Sequence, residues 1–191
     1  MEKLLLTLVT LVLVSSCSGQ SPSCTNYPCP KYEVVEKNKD FEVRRYVDTD
    51  WITTKLNSRD SFSFMAASRT LRAFCDQQKA AGNVIFDGWP VLITSREGQT
   101  PSTTLSWFLA PDSNPEVTST SVTVEHKPAT TIYVRSYGGF PSRGSAENNI
   151  KILREALTKA GKKFISDIYM GAHYNAFFSF THQNEVWMYS D

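Results

Sequence analysis

The sequence predicts an α+β domain whose two similar halves pool their strands in one antiparallel sheet, with two helices on its outside. Three observations predict this class. Short runs of alternating apolar and polar residues, bounded by turn residues, are typical of half-buried strands. Each half also carries one stripe of apolar residues at helical spacing that ends at a glycine. The pattern Val-Arg-x-Tyr occurs in both halves, at Val43–Tyr46 and Val134–Tyr137, which indicates a tandem duplication.

The composition is that of one globular domain. The chain has 191 residues, of which 41% are hydrophobic and 20% are charged, and this balance excludes disordered, collagen-like and coiled-coil proteins. Twenty basic residues against 19 acidic residues give a net charge of +1, and no basic tract stands out. Because non-specific binding to phosphates needs a concentrated positive field, we do not expect nucleic acid as a partner.

Residues 1–19 have the anatomy of a secretory signal peptide. Lys3 precedes the apolar run Leu4–Val14, and the small residues Ser15–Gly19 follow it. A membrane span needs about 20 apolar residues, so this run is too short to be one. We therefore expect cleavage after this segment, a secreted extracellular protein and no membrane association after cleavage. The alternative is a bacterial lipoprotein, because Val14–Cys17 resembles the box whose cysteine carries lipid.

Residues 20–31 form a Cys/Pro-rich tail, and the mature chain keeps an odd number of cysteines. Cys24, Cys29 and Cys75 predict one disulfide and one thiol in an oxidising compartment. The residues between Cys24 and Cys29 favour a turn, so a local bridge between these two is the favoured pairing. A long bridge from the tail to Cys75 stays open as the alternative. No metal site is expected, because the cysteine spacing does not fit one and the histidines are distant in sequence.

The domain itself covers residues 32–191, and its first half, about 32–110, predicts strands around one helix. A hairpin is expected where two alternating runs flank the polar turn Lys37–Asp40. Asp60 or Ser61 can cap the helix, and Gly82-Asn83 ends it. The predicted strands of this half are 32–36, 41–46, 51–56, 90–94 and 104–109.

The second half, about 116–191, repeats this order after a proline-bounded linker. Two alternating runs flank Lys127-Pro128, which predicts a second hairpin. A helical stripe follows and ends at Gly161, and Ser142 is expected to cap the start of this helix. The predicted strands of this half are 121–125, 131–137, 164–169, 176–180 and 186–189.

No catalytic constellation is visible in the sequence, so we do not expect an enzyme. The chain has no Gly-x-Ser-x-Gly elbow, no glycine-rich phosphate loop and no His-Glu-x-x-His motif. Cys75 lies on the apolar stripe of the first helix, where a thiol packs as a small hydrophobe and does not act as a nucleophile. The first helix is also rich in Phe, and an apolar concave surface with a few polar groups is the general form of a small-ligand site.

Motifs spread over residues 31–189 resemble the SOUL/heme-binding protein family. They include Phe41–Tyr46 and Trp51–Thr54 in the first half, and Val134–Gly139 and Asn184–Trp187 in the second. The resemblance implies a tandem-repeat, distorted antiparallel β-barrel flanked by two helices. It also implies binding of heme or a related porphyrin, and together with the signal peptide and the missing catalytic motifs this predicts a secreted, non-enzymatic carrier with heme as the ligand. The alternative is a secreted protein-interaction module, or a binder of another amphipathic ligand, on the same fold.

The resemblance further implies a heme site on the apolar face near the first helix, with basic side chains on the propionates. An arginine of that helix in the family matches Arg69, and Arg72 lies one turn further on. The basic residue that the family offers near the chain end falls around Ser179 and is missing. The family's axial histidine lies in the first half, where this chain has none, so His173 is the best substitute ligand. The candidate heme-binding residues are Phe64, Met65, Arg69, Arg72, His173, Tyr174 and Phe177.

Overall fold

The structure, a computed structural model, describes residues 18–19, 24, 28–83, 85, 90–117, 119–140, 142–174 and 183–191. One curled antiparallel sheet holds the described strands, and two helices, α1 (Ser61–Ala80) and α2 (Arg143–Lys159), pack on its outer face. The strands are β1 (Ser18–Gly19), β2 (Tyr32–Lys37), β3 (Glu42–Tyr46), β4 (Thr49–Lys55), β5 (Val91–Arg96), β6 (Ser102–Leu109), β7 (Thr123–Lys127), β8 (Thr130–Gly138), β9 (Ile168–His173) and β10 (Gln183–Tyr189). The α+β, barrel-like fold that the sequence predicts is confirmed.

The two helices cover different parts of the sheet. The strand order across it is β1-β2-β3-β8-β10-β9-β5-β6-β4-β7. Helix α1 packs over β4 and β6, and helix α2 packs over β8 and β10. The central pair of strands, β5 and β9, therefore lies between the two helices.

The hairpin predicted for the second half does not form, and that prediction is wrong. Strand β7 pairs with β4 and β8 pairs with β3, while β7 and β8 follow each other end to end through Pro128-Ala129. A two-residue hairpin loop needs residues with positive φ, and no described non-glycine residue has one. Proline also lacks the N–H that a sheet ladder uses, so the chain bends there instead of turning back. The hairpin predicted for β2 and β3 is confirmed.

Strands β3 and β4 form a second bent strand, which pairs with β8 and β7 on both sides of the bend. Tyr46 of β3 faces Thr130, and Thr49 of β4 faces Lys127, so the register continues unbroken past both bends. The two bent strands therefore link one end of the sheet (β3 and β8) to the other (β4 and β7). This linkage is what curls the sheet into a barrel-like shape.

The two copies of Val-Arg-x-Tyr occupy different places in the structure. Arg44 and Tyr46 point to the inner face of the curled sheet, where Tyr46 belongs to the aromatic core. Arg135 and Tyr137 point to the outer face under α2, where Arg135 Nε donates to Asn149 Oδ1 at 2.9 Å. Because an offset of one residue along a strand reverses the face of a side chain, the sequence match does not align equivalent positions of the two halves.

Both helices begin and end where the sequence predicts. Asp60 is the N-cap of α1, and its carboxylate accepts a backbone N–H of the first turn at 2.8 Å. Ser142 caps α2 in a reciprocal capping box. Gly82 and Gly161 follow the helix ends with φ of 84° and 66°, a left-handed conformation that favours glycine. Neither of the two described helices is long and apolar enough to cross a membrane.

One predicted strand of the second half is shorter than expected. Phe164 makes only an isolated bridge with Ser190, the chain bends at Ser166-Asp167, and β9 begins at Ile168. The prediction of a strand over 164–169 is therefore correct only at its end. The strand predicted over 176–180 lies outside the described residues.

The cysteines pair as favoured. Cys24 and Cys29 form the local disulfide, which rules out the long bridge from the tail to Cys75. Cys75 is 1% exposed in the core that α1 makes with the sheet, beside Leu71 and Phe74. The predicted burial of this thiol is therefore confirmed.

Candidate functional site

The inner face of the curled sheet is filled by side chains. Its core combines aromatic residues with an ion pair between Arg44 of β3 and Glu185 of β10, which are 4% and 0% exposed. The pair is bidentate, because Arg44 Nη1 and Nη2 donate to the two carboxylate oxygens of Glu185 at 3.1 and 3.0 Å. The guanidinium also lies 4.5 Å from the centre of the Tyr32 ring.

Three further donors saturate the Glu185 carboxylate. Tyr174 OH and Trp187 Nε1 each donate to Oε2 at 2.8 Å, and Ser136 Oγ donates to Oε1 at 3.2 Å. Burial, followed by the nearby Glu185 charge, raises the pKa of the Tyr46 and Tyr174 phenols above its ordinary value. Although burial opposes the charge on Arg44, the adjacent carboxylate raises the pKa of its guanidinium. This network occupies the Glu185 carboxylate, while Thr94 Oγ1 on the same face is buried without a hydrogen-bond partner among the described residues.

The cavity that remains at the mouth of the interior is small. It lies at the two strand bends, between Val47 and Pro128, and is walled by Trp51 and Trp187. Its space is that of about one water molecule. A tetrapyrrole cannot enter this cavity, and among the described residues the outer face of the sheet is the other surface that such a ligand could contact.

Three rows of side chains cross the outer face between the helices. Residues that face each other in neighbouring antiparallel strands point to the same side of a sheet, so each set of facing residues forms one row. The rows are Trp107, Val91, His173 and Asn184; Leu105, Ile93, Gly171 and Val186; and Thr103, Ser95 and Tyr169.

The part of these rows on β5 and β9 forms what we call the inter-helix groove, made of Val91, Ile93, Gly171 and His173. The side chains of Val91, Ile93 and His173 are half-buried, so solvent reaches them between the helices. Gly171 is buried, and among the described residues the atom that a Cβ built on it would contact is His173 Nε2, at 3.7 Å. The imidazole of His173 therefore leans over the glycine toward the centre of the groove.

The orientation of His173 is fixed by its neighbour on β10. Asn184 Nδ2 donates to the carbonyl oxygen of Gly139 at 2.8 Å, which turns Asn184 Oδ1 toward His173 Nδ1, 2.9 Å away. A carbonyl oxygen can only accept, so Nδ1 carries a proton and donates it to Asn184. A polar neighbour that holds one ring nitrogen in this way fixes the orientation of the imidazole.

Helix α1 and strand β6 form one wall of the groove. Phe64 is half-buried and packs in the same cluster as Val91 and Ile93. The Arg72 guanidinium carbon lies 5.9 Å from the centre of the Trp107 ring, within the range of a cation–π contact. Trp107 Nε1 is buried and has no hydrogen-bond partner among the described residues. An orphaned donor of this kind is typical of a place that a ligand or a water completes.

Two arginines, Arg59 and Arg154, lie at the end of the groove marked by Tyr169. Arg59, just before α1, donates from Nη1 to Tyr169 OH at 3.0 Å and from Nε to Thr103 Oγ1 at 3.1 Å. Arg154 of α2 lies over the same ring, with its guanidinium carbon 5.6 Å from the ring centre. Its Nη2 donates to the carbonyl oxygen of Ser166 at 2.7 Å. This end of the groove is therefore positively charged and held in place by hydrogen bonds.

The structure brings only some of the predicted heme-binding residues to this groove. Phe64, Arg72 and His173 lie at it, while Met65 is 45% exposed on α1. Arg69 is exposed, and the helical period turns it further from the sheet than Arg72. Tyr174 is buried on the inner face, where it binds Glu185. Phe177 lies outside the described residues.

Sequence reasoning missed the other groove residues. Gly171, Ile93 and Tyr169 lie on different strands, so only the strand register shows that they are neighbours. Arg59 stands immediately before the helix cap and carries no motif that would single it out. Asn184 belongs to a motif of the family resemblance, and that motif was the signal that pointed to it.

The chain matches the model of the SOUL heme-binding protein family over residues 27–189. It is 26% identical over 157 residues to human heme-binding protein 2, covering 78% of this chain and 77% of that protein. The mouse heme-binding protein 2 is 25% identical over 157 residues, with the same coverage of 78% and 77%.

Solved structures show the same fold at low identity. The C-terminal domain of EcmrR has a TM-score of 0.58 at 12% identity, covering 79% of this chain and 96% of that one. A hydrolase from Listeria innocua has a TM-score of 0.57 at 11% identity, covering 82% and 94%. At such identities the likeness concerns the fold alone. The family match spans the curled sheet, both helices and the groove between them, and this chain belongs to the SOUL heme-binding protein family.

Proposed function

We propose that this protein is a secreted, non-enzymatic carrier that binds heme or a related tetrapyrrole in the inter-helix groove. The observation that carries the proposal is the groove floor, where the half-buried apolar side chains of Val91 and Ile93 lie beside the oriented imidazole of His173. Membership of the SOUL heme-binding protein family supports heme as the class of ligand. The names of the human and mouse relatives support it as well.

Apolar contact would provide most of the affinity. A flat ring over Val91, Ile93 and Phe64 removes apolar surface from water at about 25 cal/mol per Å². The entropy lost on binding keeps the net affinity below that sum. Heme, when bound, would supply an iron that can accept an axial nitrogen, and His173 is the residue of the groove that fits this role. Arg72 would line the α1 side of the groove, where its guanidinium lies against the Trp107 ring.

Secretion forms the second part of the proposal. The apolar run before Ser15–Gly19 supports export, and a disulfide between Cys24 and Cys29 suits an oxidising compartment. We do not propose nucleic acid as a partner, because binding to phosphates needs a strong positive charge and the net charge of this chain is only +1.

Export predicts a defined change in mass. Protein collected from the medium of a secreting host should lack about the first 19 residues and contain one disulfide. Intact-mass spectrometry with and without reduction measures both. Recovery of a lipidated Cys17, or of the full-length chain from the cell interior, would contradict this part of the proposal.

The ligand class is tested by adding hemin to purified residues 20–191. We expect a saturable change of the Soret band at one equivalent. His173→Ala should shift the Soret position because it removes the axial nitrogen, and it should change the dissociation constant by about threefold or less because apolar contact dominates. Absorbance titration with a fluorescence check of the dissociation constant measures both quantities.

His126→Ala is the matched control. This side chain is 60% exposed on the edge strand β7 and pairs with Asp50, away from the groove. Its Soret band should equal that of the wild type. Binding that never saturates would contradict the carrier and favour the interaction module. A Soret shift with His126→Ala but not with His173→Ala would place the iron elsewhere.

A further inference from the structure

We propose that the Tyr169 end of the inter-helix groove is a carboxylate site, in which Arg59 and Arg154 receive the two acidic side chains of a bound tetrapyrrole. The inference rests on the proposed function and sets the direction in which the ligand lies. The carboxylates point to the start of β9, and the ring centre lies toward His173.

The spacing along β9 suits such a ligand. Tyr169 precedes His173 by four residues on the same strand and the same face. At 3.3 Å per residue their Cα atoms are about 13 Å apart. One flat molecule can therefore contact both ends of the groove while its ring lies over the half-buried Val91 and Ile93, beside the His173 imidazole.

The Arg59 guanidinium is held in an orientation that suits anion binding. Its hydrogen bonds to Tyr169 and Thr103 use Nη1 and Nε and hold the plane of the guanidinium in place. Among the described residues, no acceptor is found for Nη2 and no carboxylate lies within 4.0 Å of the guanidinium nitrogens. A guanidinium held in this way loses little side-chain entropy when it binds a carboxylate, and its donors match the geometry of that group.

Arg154 adds a second cation at the same ring. Its only acidic partner among the described residues is Glu97, at 3.4 Å, and both side chains of this pair are partly exposed. Such a pair is weak in water, so it neutralises the arginine only in part. The two guanidiniums lie 6.0 and 5.6 Å from the centre of the Tyr169 ring. Because heme carries its two carboxylates on one edge, two neighbouring cations fit it better than one.

The other end of the groove, beside Trp107, is a weaker site for a carboxylate. Arg72 is the cation found there, and the contact recorded for it is the face of the Trp107 ring. No hydrogen bond fixes its guanidinium to a described residue. A carboxylate bound to Arg72 would therefore have to order the arginine side chain as well.

The test compares hemin with hemin dimethyl ester, which has the same ring but no negative charge at its edge. We expect the wild-type protein to bind hemin about tenfold more tightly than the ester, as a charge-assisted contact provides. Arg59→Met removes one of the two cations, so it should reduce this preference to about threefold and leave the affinity for the ester unchanged. Arg45→Met, which removes an exposed arginine of β3, is the matched control and should keep the full preference. Thermal melts show whether each variant is folded.

Several outcomes would overturn the carboxylate site. Arg59→Met could weaken hemin and ester equally, which would make Arg59 a positioning residue for Tyr169 only. Arg72→Met could abolish the preference while Arg59→Met keeps it, which would mean that the ligand lies in the opposite orientation, with its carboxylates at the Arg72 end. Equal binding of hemin and ester by the wild type would remove the carboxylate site but leave the proposed function intact. Failure of the wild type to bind either porphyrin would instead remove the proposed function itself.

Discussion

Arg44→Met is expected to lower the free energy of unfolding by about 3–5 kcal/mol. The substitution leaves the Glu185 carboxylate, which is 0% exposed, without its cation in the interior of the sheet. A buried charge without a partner costs far more than an exposed one, because neither water nor a counterion can reach it. Tyr174 and Trp187 would still donate to the carboxylate, but they supply no positive charge.

Urea unfolding followed by tryptophan fluorescence measures this loss. Arg45→Met is the matched control, because Arg45 is 61% exposed in an ion pair with Glu33, and it should cost about 0–1 kcal/mol. The double variant Arg44→Met with Glu185→Leu should be more stable than Arg44→Met alone, since it removes the orphaned charge as well. A double variant that loses the sum of both single effects would show that the charges are not coupled.

Stability is also expected to fall steeply above pH 10. Burial raises the pKa of Tyr46 and Tyr174 in the folded protein above the ordinary value of 10.0. The folded state therefore keeps two protons that the unfolded chain releases at high pH, so alkali favours unfolding. Stability from these two phenols is complete below pH 10 and is lost at about 2.7 kcal/mol per pH unit above it.

Urea midpoints measured between pH 9 and pH 12 test this slope. The double variant Tyr46→Phe with Tyr174→Phe should show a clearly shallower loss, although it is less stable at neutral pH. Ser136→Ala removes a neutral donor to the same carboxylate and should retain the full slope. Equal slopes for the wild type and the Phe variant would mean that these phenols do not control alkaline unfolding.

Local signals in the sequence were sufficient for the helices but not for every strand pair. Helix α1 could be predicted from its stripe, from Asp60 and from Gly82, because caps and periodicity act within a few residues. The partner of β7 could not be predicted in this way, since it is β4, more than 60 residues away in sequence. Local pairing favoured the adjacent run, and only the absence of a residue suited to positive φ at Pro128-Ala129 argued against it.

Only the α1 side of the candidate site could be predicted from the sequence. Phe64 and Arg72 follow from the helix and from the family resemblance. Arg59, Ile93 and Gly171 become neighbours through the register of β5 with β6 and β9, which no spacing along the chain encodes. Tyr174 shows the opposite error, because an aromatic residue beside His173 in sequence points to the other face of the sheet.

The unbroken register of the two bent strands makes the halves of the chain a single cooperative folding unit. Strand β3 completes the sheet beside β8, and β7 completes it beside β4, so each half covers an edge that the other half would leave open. A fragment containing one half would expose that edge and lack a closed core. Folding therefore has to wait for contacts between residues far apart in sequence, which places this protein among the slower folders of its size.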